Sequence, residues 1–282
     1  MFNNFKETLD RHGLLGNDRK ILLGVSGGVD SVVLLHLMQA IPTNDRPQLS
    51  VAHINHQLRE EADMAEAFVK QLARDYQLPF YSKRWEKEEH PKTGIEEAAR
   101  SFRYSFFRQL MEEGEFNILM TAHHQDDQVE TILMKLTRGS SLEQLVGIQF
   151  SQPFSTGYLV RPLLDVSKNE LYTFAKQEQL TFVEDVSNKD LSFTRNRFRH
   201  SIIPLLKKEN PLFNQQIIQF SKDLDDLLEI SKDSIQLDYK KAVSQLEGKW
   251  YLEREIFMNY SQALQRTILK EILHDIYLQE EV

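Results

Sequence analysis

The stretch SGGVDS, residues 26–31, combines residue types that could hold a phosphate group. Gly27 and Gly28 allow backbone torsions and a close approach that other side chains would block, and their successive amides can form an anion-binding nest. The helix predicted to follow would direct its positive N-terminal end at the same place. The common P-loop, G-x-x-x-x-G-K-[ST], has a longer loop and a lysine that this turn lacks. A plain strand-to-helix connection with a helix cap is the alternative.

The stretch HHQDDQVET, residues 123–131, follows an apolar run and is the other candidate for chemistry. If residues 125–137 form a helix, Asp127 and Glu130 share one face and can converge on a single cation. The H-H-x-D-D pattern also allows a transition metal, but no further His or Cys cluster supports one. A polar helix start without chemistry is the remaining alternative.

Both stretches fall at the ends of predicted strands. Apolar, β-rich runs alternate with helical patterns along the first part of the chain. The predicted strands are 20–26, 49–55, 79–85 and 116–123, and the predicted helices between them are 30–41, 60–77 and 95–114. This alternation predicts an α/β fold, a mainly parallel sheet with helices on both faces. Ligands of such sheets lie beyond the C-terminal ends of the strands.

The pattern of apolar residues in the sequence changes after about residue 210. The following segment is helical in period and has no buried-strand signal. Pro211, at a position that suits the start of a helix, marks the change. We therefore predict a domain at 1–210 and a small all-helical domain at 211–282.

The composition limits the classes of function. No apolar run approaches the ~18 residues of a membrane span, and the first residues do not resemble a signal peptide, so we predict a cytoplasmic protein without a membrane partner. Cysteine is absent, which excludes disulfide frameworks and cysteine-dependent mechanisms. The net charge of -8 means that any contact with nucleic acid must come from local basic patches.

One basic patch lies near the end of the predicted first domain. Its arginines could clamp phosphates or stack on a splayed base. A solvated helix face is the alternative. The patch comprises Lys189, Arg195, Arg197, Arg199, His200, Lys207 and Lys208. A second pair, Arg100 and Arg103, shares a predicted helix face with Glu97.

Taken together, these motifs resemble a known family. SGGVDS resembles the signature of the PP-loop ATP pyrophosphatases, whose fold is of the adenine nucleotide alpha hydrolase-like type. Further motifs occur in the order and spacing of the tRNA(Ile)-lysidine synthetase family over about residues 20–205. These are AHINHQLR (52–59), GIEEAARSFRYSFF (94–107), TAHHQDDQVETILMKLTRG (121–139), RPLL (161–164), EDVSN (184–188) and RNRFRHSIIP (195–204). EDVSN departs from the family, which commonly has proline in its middle.

The resemblance implies a two-step reaction. ATP adenylates the C2 oxygen of the wobble cytidine in a CAU anticodon, and the ε-amine of L-lysine then displaces AMP. The implied partners are ATP, Mg²⁺, L-lysine and tRNA(Ile), and the family also suggests a homodimer and a further small domain after this segment. The glycine turn and Mg²⁺ would together neutralise the leaving pyrophosphate.

The resemblance also assigns roles to residues. The catalytic residues would be Asp30, His123, Asp127 and Glu130, with His123 donating a hydrogen bond as charge develops. ATP would be bound by Ser26, Gly27, Gly28, Val29, Asp30, Ser31, His53 and Arg100. L-lysine would be bound by Asp127, Glu130 and Arg195, and tRNA by Arg195, Arg197 and Arg199. Mg²⁺ would be bound by Asp30, Asp126 and Asp127.

Two other functions fit parts of the sequence. The same turn occurs in thiolation enzymes, but the lack of cysteine argues against those that depend on cysteine. It also occurs in small-molecule ligases, which would not need both HHQDDQVET and RNRFRH. The other candidate is a nucleotide-binding module that has lost the chemistry. Pyrophosphate release from ATP on addition of a tRNA with a CAU anticodon would separate these functions.

Overall fold

A computed structural model of the protein describes residues 1–58, 62–184, 193–246 and 248–280. The chain forms two compact units. The first unit comprises Met1–Ser140 and Gly147–Ile218, and the second comprises Ser141–Val146 and the chain from Gln219 onward. The division thus falls after Ile218, whereas the sequence analysis places a domain boundary at residue 210. Residues 185–188 of the EDVSN motif and Lys189 lie outside the described residues.

The first unit is built on a six-stranded sheet. Its strands are β1 (Lys20–Gly24), β2 (Gln48–Asn55), β3 (Phe80–Arg84), β4 (Ile118–Thr121), β5 (Ser151–Phe154) and β6 (Gly157–Val160). The spatial order is β3-β2-β1-β4-β6-β5, and all neighbours are parallel except β5 and β6. The mainly parallel sheet and its four predicted strands are confirmed. The antiparallel hairpin of β5 and β6 is an addition that the sequence analysis does not predict.

The register of the sheet brings the C-terminal ends of β1 and β4 side by side, next to β2. Gly24, the last residue of β1, is paired with Ala52 of β2 on one side and with Thr121 of β4 on the other. From β1 the chain first builds outward through β2 and β3, and it then returns to place β4 on the opposite side of β1. A crevice forms at such a reversal of strand order, and ligands of open α/β sheets bind there.

Helices cover both faces of this sheet. The helices of the chain up to residue 209 are α1 (Phe2–Arg11), α2 (Val29–Gln39), α3 (Ala62–Asp75), α4 (Ile95–Gly114), α5 (Gln125–Thr137), α6 (Leu142–Leu145), α7 (Lys168–Gln177), α8 (Thr194–Arg197) and α9 (Ile203–Glu209). A π-helical turn, Phe198–Ile202, joins α8 to α9. Of these helices, α6 belongs to the second unit. Among the described residues, no helix has both the length and the apolar character that a membrane span requires.

The two faces of the sheet bury separate clusters because successive strand residues point in opposite directions. Leu23 packs in a cluster with apolar residues of α1, α2, α3 and α7. Its neighbour Leu22 packs in another cluster with Phe106 and Phe107 of α4. The prediction of helices on both faces is therefore confirmed.

The second unit is mainly helical, as predicted, and also contains a short hairpin. The helix α10 (Phe213–Ala242) begins in the first unit and continues into the second, which also has α11 (Arg254–Met258) and α12 (Gln262–Glu280). The antiparallel strands β7 (Val243–Leu246) and β8 (Lys249–Leu252) form the hairpin. The core of this unit is a small cluster around Tyr239, Ala242, Val243 and Ile268.

Candidate active site

The turn between β1 and α2 is held by the hydroxyl of Ser31. This hydroxyl accepts hydrogen bonds from the backbone amides of Ser26 and Gly27, each at 3.2 Å, and donates one to the carbonyl of Gly28 at 2.9 Å. Gly27 has a φ of 92°, which other residues rarely adopt, and a Cβ there would lie 3.2 Å from Val69 Cγ2. The shape of the turn therefore requires both the serine and the glycine.

The turn leads into α2, whose first two residues are Val29 and Asp30. The first amides of a helix have no partner within the helix, and they carry its positive end. Ser26, Gly27 and Gly28 lie in the turn just before this point. The amides of Ser26 and Gly27 donate to Ser31 Oγ, and that of Gly28 donates to Ser26 Oγ at 3.3 Å, so serine hydroxyls occupy the predicted nest. The start of α2 is therefore the part of this connection that corresponds to a strand-turn-helix anion site.

A cavity of about 310 Å³ opens beside the turn, at the strand ends where the order of the sheet reverses. One part of its lining is apolar and the other carries charge, as in sites that bind a base and a phosphate together. The lining residues include Ser26, Asp30, Ser31, Ala52, Ile54, Arg103, Tyr104, Phe107, Thr121, His123, Asp127 and Arg195. Six of the predicted site residues thus line this cavity: Ser26, Asp30, Ser31, His123, Asp127 and Arg195.

The HHQDDQVET stretch connects β4 to α5 at the same edge. His123 Nδ1 lies 2.9 Å from Thr121 Oγ1. His124 is the N-cap of α5, and its backbone amide donates to Asp127 Oδ2 at 3.1 Å. The buried imidazole of His124 places Nε2 3.5 Å from Asp127 Oδ2 and 3.7 Å from Asp30 Oδ2. His124 thus lies between the carboxylates of the two motifs.

Asp126, whose Oδ2 lies 3.9 Å from His124 Nδ1, connects several helices. Its Oδ2 accepts a hydrogen bond from the backbone amide of Lys168, at 2.8 Å. Its Oδ1 lies 3.1 Å from Asn214 Nδ2 and 3.5 Å from Lys207 Nζ. Asp126 therefore fixes the start of α7 and the first turn of α10 to α5.

Asp127 and Glu130 converge on cations, and the protein itself supplies those cations. Arg195 Nε lies 2.7 Å from Glu130 Oε2, and Arg199 Nε lies 2.6 Å from Glu130 Oε1. Both guanidinium groups also contact Asp127 Oδ1, at 3.2 and 3.3 Å. The side chain of Glu130 is 1% exposed. We call these four residues the Glu130 cluster.

The Glu130 cluster changes the expected roles of its members. Asp127 and Glu130 share a helix face, as their spacing predicts. Glu130, however, is enclosed by two arginines, so its carboxylate has no free face for a substrate ammonium. Arg195 and Arg199 turn inward, whereas the basic patch suggested outward contacts to RNA. Arg197, between them, is exposed and donates to Thr194 Oγ1 at 2.9 Å.

The surroundings set the charge of two groups that face the cavity. Burial alone would raise the pKa of Asp127, but His124 and Arg195 outweigh it and lower that pKa to about 2. Burial is the main cause that lowers the pKa of His123 to about 3, and Arg161 and Arg195 add to it against the attraction of Asp127. At neutral pH the site therefore presents an ionised Asp127 and a neutral His123.

Asp30 is paired with a residue that the sequence analysis did not select. Lys168 Nζ lies 2.7 Å from each carboxylate oxygen of Asp30. We call these two residues the Asp30 pair. Lys168 is the first residue of α7, after a capping box in which Ser167 is the N-cap and Glu170 the partner. The S-x-x-E spacing could have predicted this helix start, but not the contact with Asp30.

His53 does not face the cavity. It lies on β2 between Ala52 and Ile54, which do, and the alternation of a strand turns it to the other face. Its Nδ1 lies 2.8 Å from the carbonyl oxygen of Val25, and burial is the main cause that lowers its pKa. A direct ATP contact is therefore not supported; His53 supports the chain that enters the turn.

Arg103, rather than Arg100, reaches the cavity from α4. Arg103 is among the lining residues, whereas Arg100 is exposed and stacks over Tyr104 with 4.8 Å between guanidinium carbon and ring centroid. Tyr104 in turn lines the cavity. The predicted ATP contact of Arg100 is thus at most indirect, and sequence spacing could not choose between two arginines three positions apart on one helix.

The three predicted magnesium ligands differ in their surroundings. Within the described ranges, no group of three or more His, Cys, Asp or Glu side chains is arranged to hold a metal ion. Asp126 and Asp127 are engaged with the neighbours described above. Asp30 is the one of the three that borders both the turn and the cavity.

This fold and site define a class of protein. The chain belongs to the PP-loop domain family, which matches residues 2–206. It is 41% identical over 240 residues to the tRNA(Ile)-lysidine synthase of Lactiplantibacillus plantarum and 39% identical over 269 residues to that of Enterococcus faecalis. The matches cover 85% and 95% of this chain but 54% and 58% of those proteins. The chain thus spans little more than half the length of either relative.

A solved structure shares the fold. The U34-tRNA thiolase NcsA from Methanococcus maripaludis, solved with its 4Fe-4S cluster, matches with a TM-score of 0.67 at 16% identity. The match covers 79% of this chain and 76% of that one. At this identity the likeness establishes the PP-loop fold and says nothing of the substrate.

Proposed function

We propose that this chain forms lysidine in tRNA(Ile). ATP would activate the C2 oxygen of the wobble cytidine of the CAU anticodon, and the ε-amine of L-lysine would displace AMP. The observation that carries the proposal is one cavity at the strand ends that is lined by Ser26, Asp30 and Ser31 from the turn and the start of α2, and by Asp127 and Arg195 of the Glu130 cluster. The identity of about 40% to lysidine synthases supports this choice among PP-loop reactions.

In the first half-reaction, the cytidine O2 would attack the α-phosphorus of ATP. The bond from that phosphorus to the bridging oxygen breaks, and pyrophosphate leaves. Because O2 is a poor leaving group, its conversion into an adenylate makes the later substitution at C2 possible. The turn and the N-terminal end of α2 would stabilise the charge that develops on the phosphates.

Asp30 fits a magnesium ion better than the other two predicted ligands. Mg²⁺ usually takes one or two carboxylates together with substrate phosphates, and the carboxylate of Asp30 borders the turn. When bound, the ion would neutralise charge on the departing pyrophosphate. Asp126 is committed to Lys168, Asn214 and Lys207, so we do not include it in the proposal.

In the second half-reaction, the lysine amine would attack C2 and AMP would leave with O2. The amine arrives as an ammonium, since its ordinary pKa is ~10.4. Ionised Asp127 would attract it, while Glu130 holds Arg195 and Arg199 in place. The low pKa values of Asp127 and His123 make both weak bases at neutral pH, so their roles are electrostatic. The ammonium would therefore release its proton to water before the neutral amine attacks C2.

Further parts of the proposal concern partners and location. We propose that exposed Arg197 contacts the tRNA backbone, since an arginine fork suits phosphate and Arg195 and Arg199 are turned inward. We also propose a cytoplasmic homodimer, as the composition and the family resemblance suggest. Light scattering of the purified protein tests the dimer.

The decisive experiment measures pyrophosphate release and lysine incorporation together. The protein is given ATP, labelled L-lysine and a tRNA(Ile) transcript with a CAU anticodon, and the control transcript carries uridine at the wobble position. We expect pyrophosphate release and label in the first tRNA alone. Pyrophosphate release without dependence on the wobble cytidine would indicate another adenylating ligase. ATP binding without release would indicate a non-catalytic module.

A further inference from the structure

We propose that Lys168 is the phosphate-binding lysine of this site, supplied from α7 because the SGGVDS turn has none. In the common P-loop, a lysine at the end of the glycine-rich loop reaches the β- and γ-phosphates. Here Lys168 Nζ lies 2.7 Å from both oxygens of Asp30, the second residue of the helix that follows the turn. The inference rests on the proposed use of ATP at this site.

The backbone of Lys168 is firmly positioned. Its amide donates to Asp126 Oδ2 at 2.8 Å, and the preceding N-cap, Ser167, exchanges hydrogen bonds with Glu170. The start of α5 is bound to the same segment, since the amide of Gln125 donates to the carbonyl of Val166 at 2.9 Å. A lysine whose backbone is fixed and whose long side chain can rotate is suited to exchange partners at its ammonium group.

The Asp30 pair can be exchanged at low cost. The side chains of Asp30 and Lys168 are 25% and 32% exposed, so water can solvate each when the contact opens. A triphosphate brings several negative charges to the turn, and a compact ammonium with three donors can follow them. Magnesium at Asp30 would compete for the same carboxylate. Lys168 thus neutralises Asp30 before ATP binds and the phosphates afterwards.

A simpler role for Lys168 must be separated from this one. Lys168 could serve only to neutralise Asp30, and its loss would then weaken ATP binding through repulsion by the exposed carboxylate. The two roles differ in the double variant. In Asp30→Asn with Lys168→Met, the repulsion is gone but the phosphate contact is still missing.

The experiment measures equilibrium binding of ATP, inorganic pyrophosphate and AMP by calorimetry, with EDTA and without tRNA or lysine. The proteins are wild type, Lys168→Met, Lys168→Arg, the double variant and the control Lys176→Met. Lys176 lies in the last turn of the same helix and is exposed, so the control removes the same charge. Thermal unfolding confirms that each variant is folded.

We expect Lys168→Met to bind ATP and pyrophosphate about 10- to 100-fold more weakly, as is typical for loss of a charged hydrogen bond. Binding of AMP, which lacks the β- and γ-phosphates, should change little. Lys168→Arg should retain part of the affinity, and the double variant should remain weak. Lys176→Met should match wild type.

Two results would overturn the inference: recovery of ATP affinity in the double variant, or equal loss of AMP and ATP affinity in Lys168→Met. The proposed function fails separately. If the wild-type protein binds ATP, loses that affinity on Lys168→Met and forms no lysidine, the lysine assignment holds and lysidine synthesis does not. If the wild-type protein does not bind ATP in EDTA, the inference about Lys168 is wrong, and the lysidine assay, run with Mg²⁺ and tRNA, still decides the proposed function.

Discussion

The candidate site contains two groups of ion pairs that differ in construction. In the Glu130 cluster, two guanidinium groups enclose a carboxylate that is 1% exposed, and each arginine also contacts Asp127. In the Asp30 pair, one ammonium meets one carboxylate, and both are partly exposed. The two groups lie at the same strand ends, and His124 Nε2 is within 3.7 Å of a carboxylate of each.

The difference indicates different tasks. Opening the Glu130 cluster would leave the buried carboxylate of Glu130 without partners, which is costly, so this group acts as a fixed scaffold. Opening the Asp30 pair exposes each charge to water at little cost, so this group can rearrange when a ligand arrives. If the Glu130 cluster is a scaffold and the Asp30 pair can rearrange, substitutions in the two groups should change the free energy of unfolding by different amounts.

Glu130→Gln should have the largest effect. It removes the buried carboxylate that Arg195 and Arg199 share, and it leaves these arginines, 33% and 29% exposed, with Asp127 as their remaining acceptor. Loss of such hydrogen bonds to a charged group typically costs ~1.5–3 kcal/mol. Urea unfolding should be followed by the fluorescence of Trp85, a buried residue of the first unit, with the second tryptophan removed as Trp250→Phe.

The control for this experiment is Asp45→Asn, which breaks the partly exposed pair with Lys6. We expect a loss of no more than ~1 kcal/mol there. A similar small loss for Glu130→Gln would mean that the Glu130 cluster is not a scaffold, and Glu130 would again be a candidate for binding substrate lysine.

His123→Gln should reduce the dependence of stability on pH. The pKa of His123 is lowered to about 3 in the folded protein, so between pH 6.5 and 3 the unfolded chain gains a proton that the folded protein does not. Stability therefore falls as pH falls, by up to ~1.4 kcal/mol per pH unit from this group. The measurement compares unfolding at pH 7 and pH 5 for both proteins. If the difference in unfolding free energy between wild type and variant is the same at pH 7 and pH 5, the pKa of His123 is the same in the folded and unfolded protein.

The sequence predicts the sheet and the turn because these depend on local patterns. The strands β1, β2 and β4 are largely buried and apolar, and the helices between the predicted strands repeat at 3.6 residues. The hairpin of β5 and β6 has strands of four residues, one of which includes Pro153, and such short exposed strands carry little period. The same holds for β7 and β8 in the second unit.

The contacts within the site are harder to predict. The arginines of RNRFRH are visible in the sequence, but whether they face RNA or a buried carboxylate depends on how α8 and the π-helical turn lie against α5. Lys168 is 138 residues from Asp30, and no local pattern joins them. Sequence spacing thus identifies the charged residues, while the fold decides which of them neutralise each other.

Ser167→Ala tests how Lys168 is positioned. Loss of this N-cap should cost ~1 kcal/mol, because the amide of Glu170 loses its acceptor at 3.3 Å. It should also raise the ATP concentration needed for half-maximal pyrophosphate release, since the start of α7 becomes less fixed. Ser105→Ala, at an exposed position within α4, is the control and should not destabilise. If Ser167→Ala and Ser105→Ala need the same ATP concentration for half-maximal pyrophosphate release, the N-cap of α7 does not influence ATP binding at the site.

Asp30→Asn should change stability least, by ~1 kcal/mol or less, because the Asp30 pair is partly exposed. Its effect on the reaction should nevertheless be severe. Asparagine keeps the shape of the side chain but cannot offer magnesium a charged oxygen, so tRNA-dependent pyrophosphate release should be lost while the Trp85 unfolding curve stays near that of wild type. Glu130→Gln should instead lose much of its stability. Its pyrophosphate release should be measured per folded protein, so that unfolding is not mistaken for a loss of activity. If Asp30→Asn instead retains pyrophosphate release, Asp30 is not the metal ligand, and the Asp30 pair would be a structural contact like that of Lys6 and Asp45.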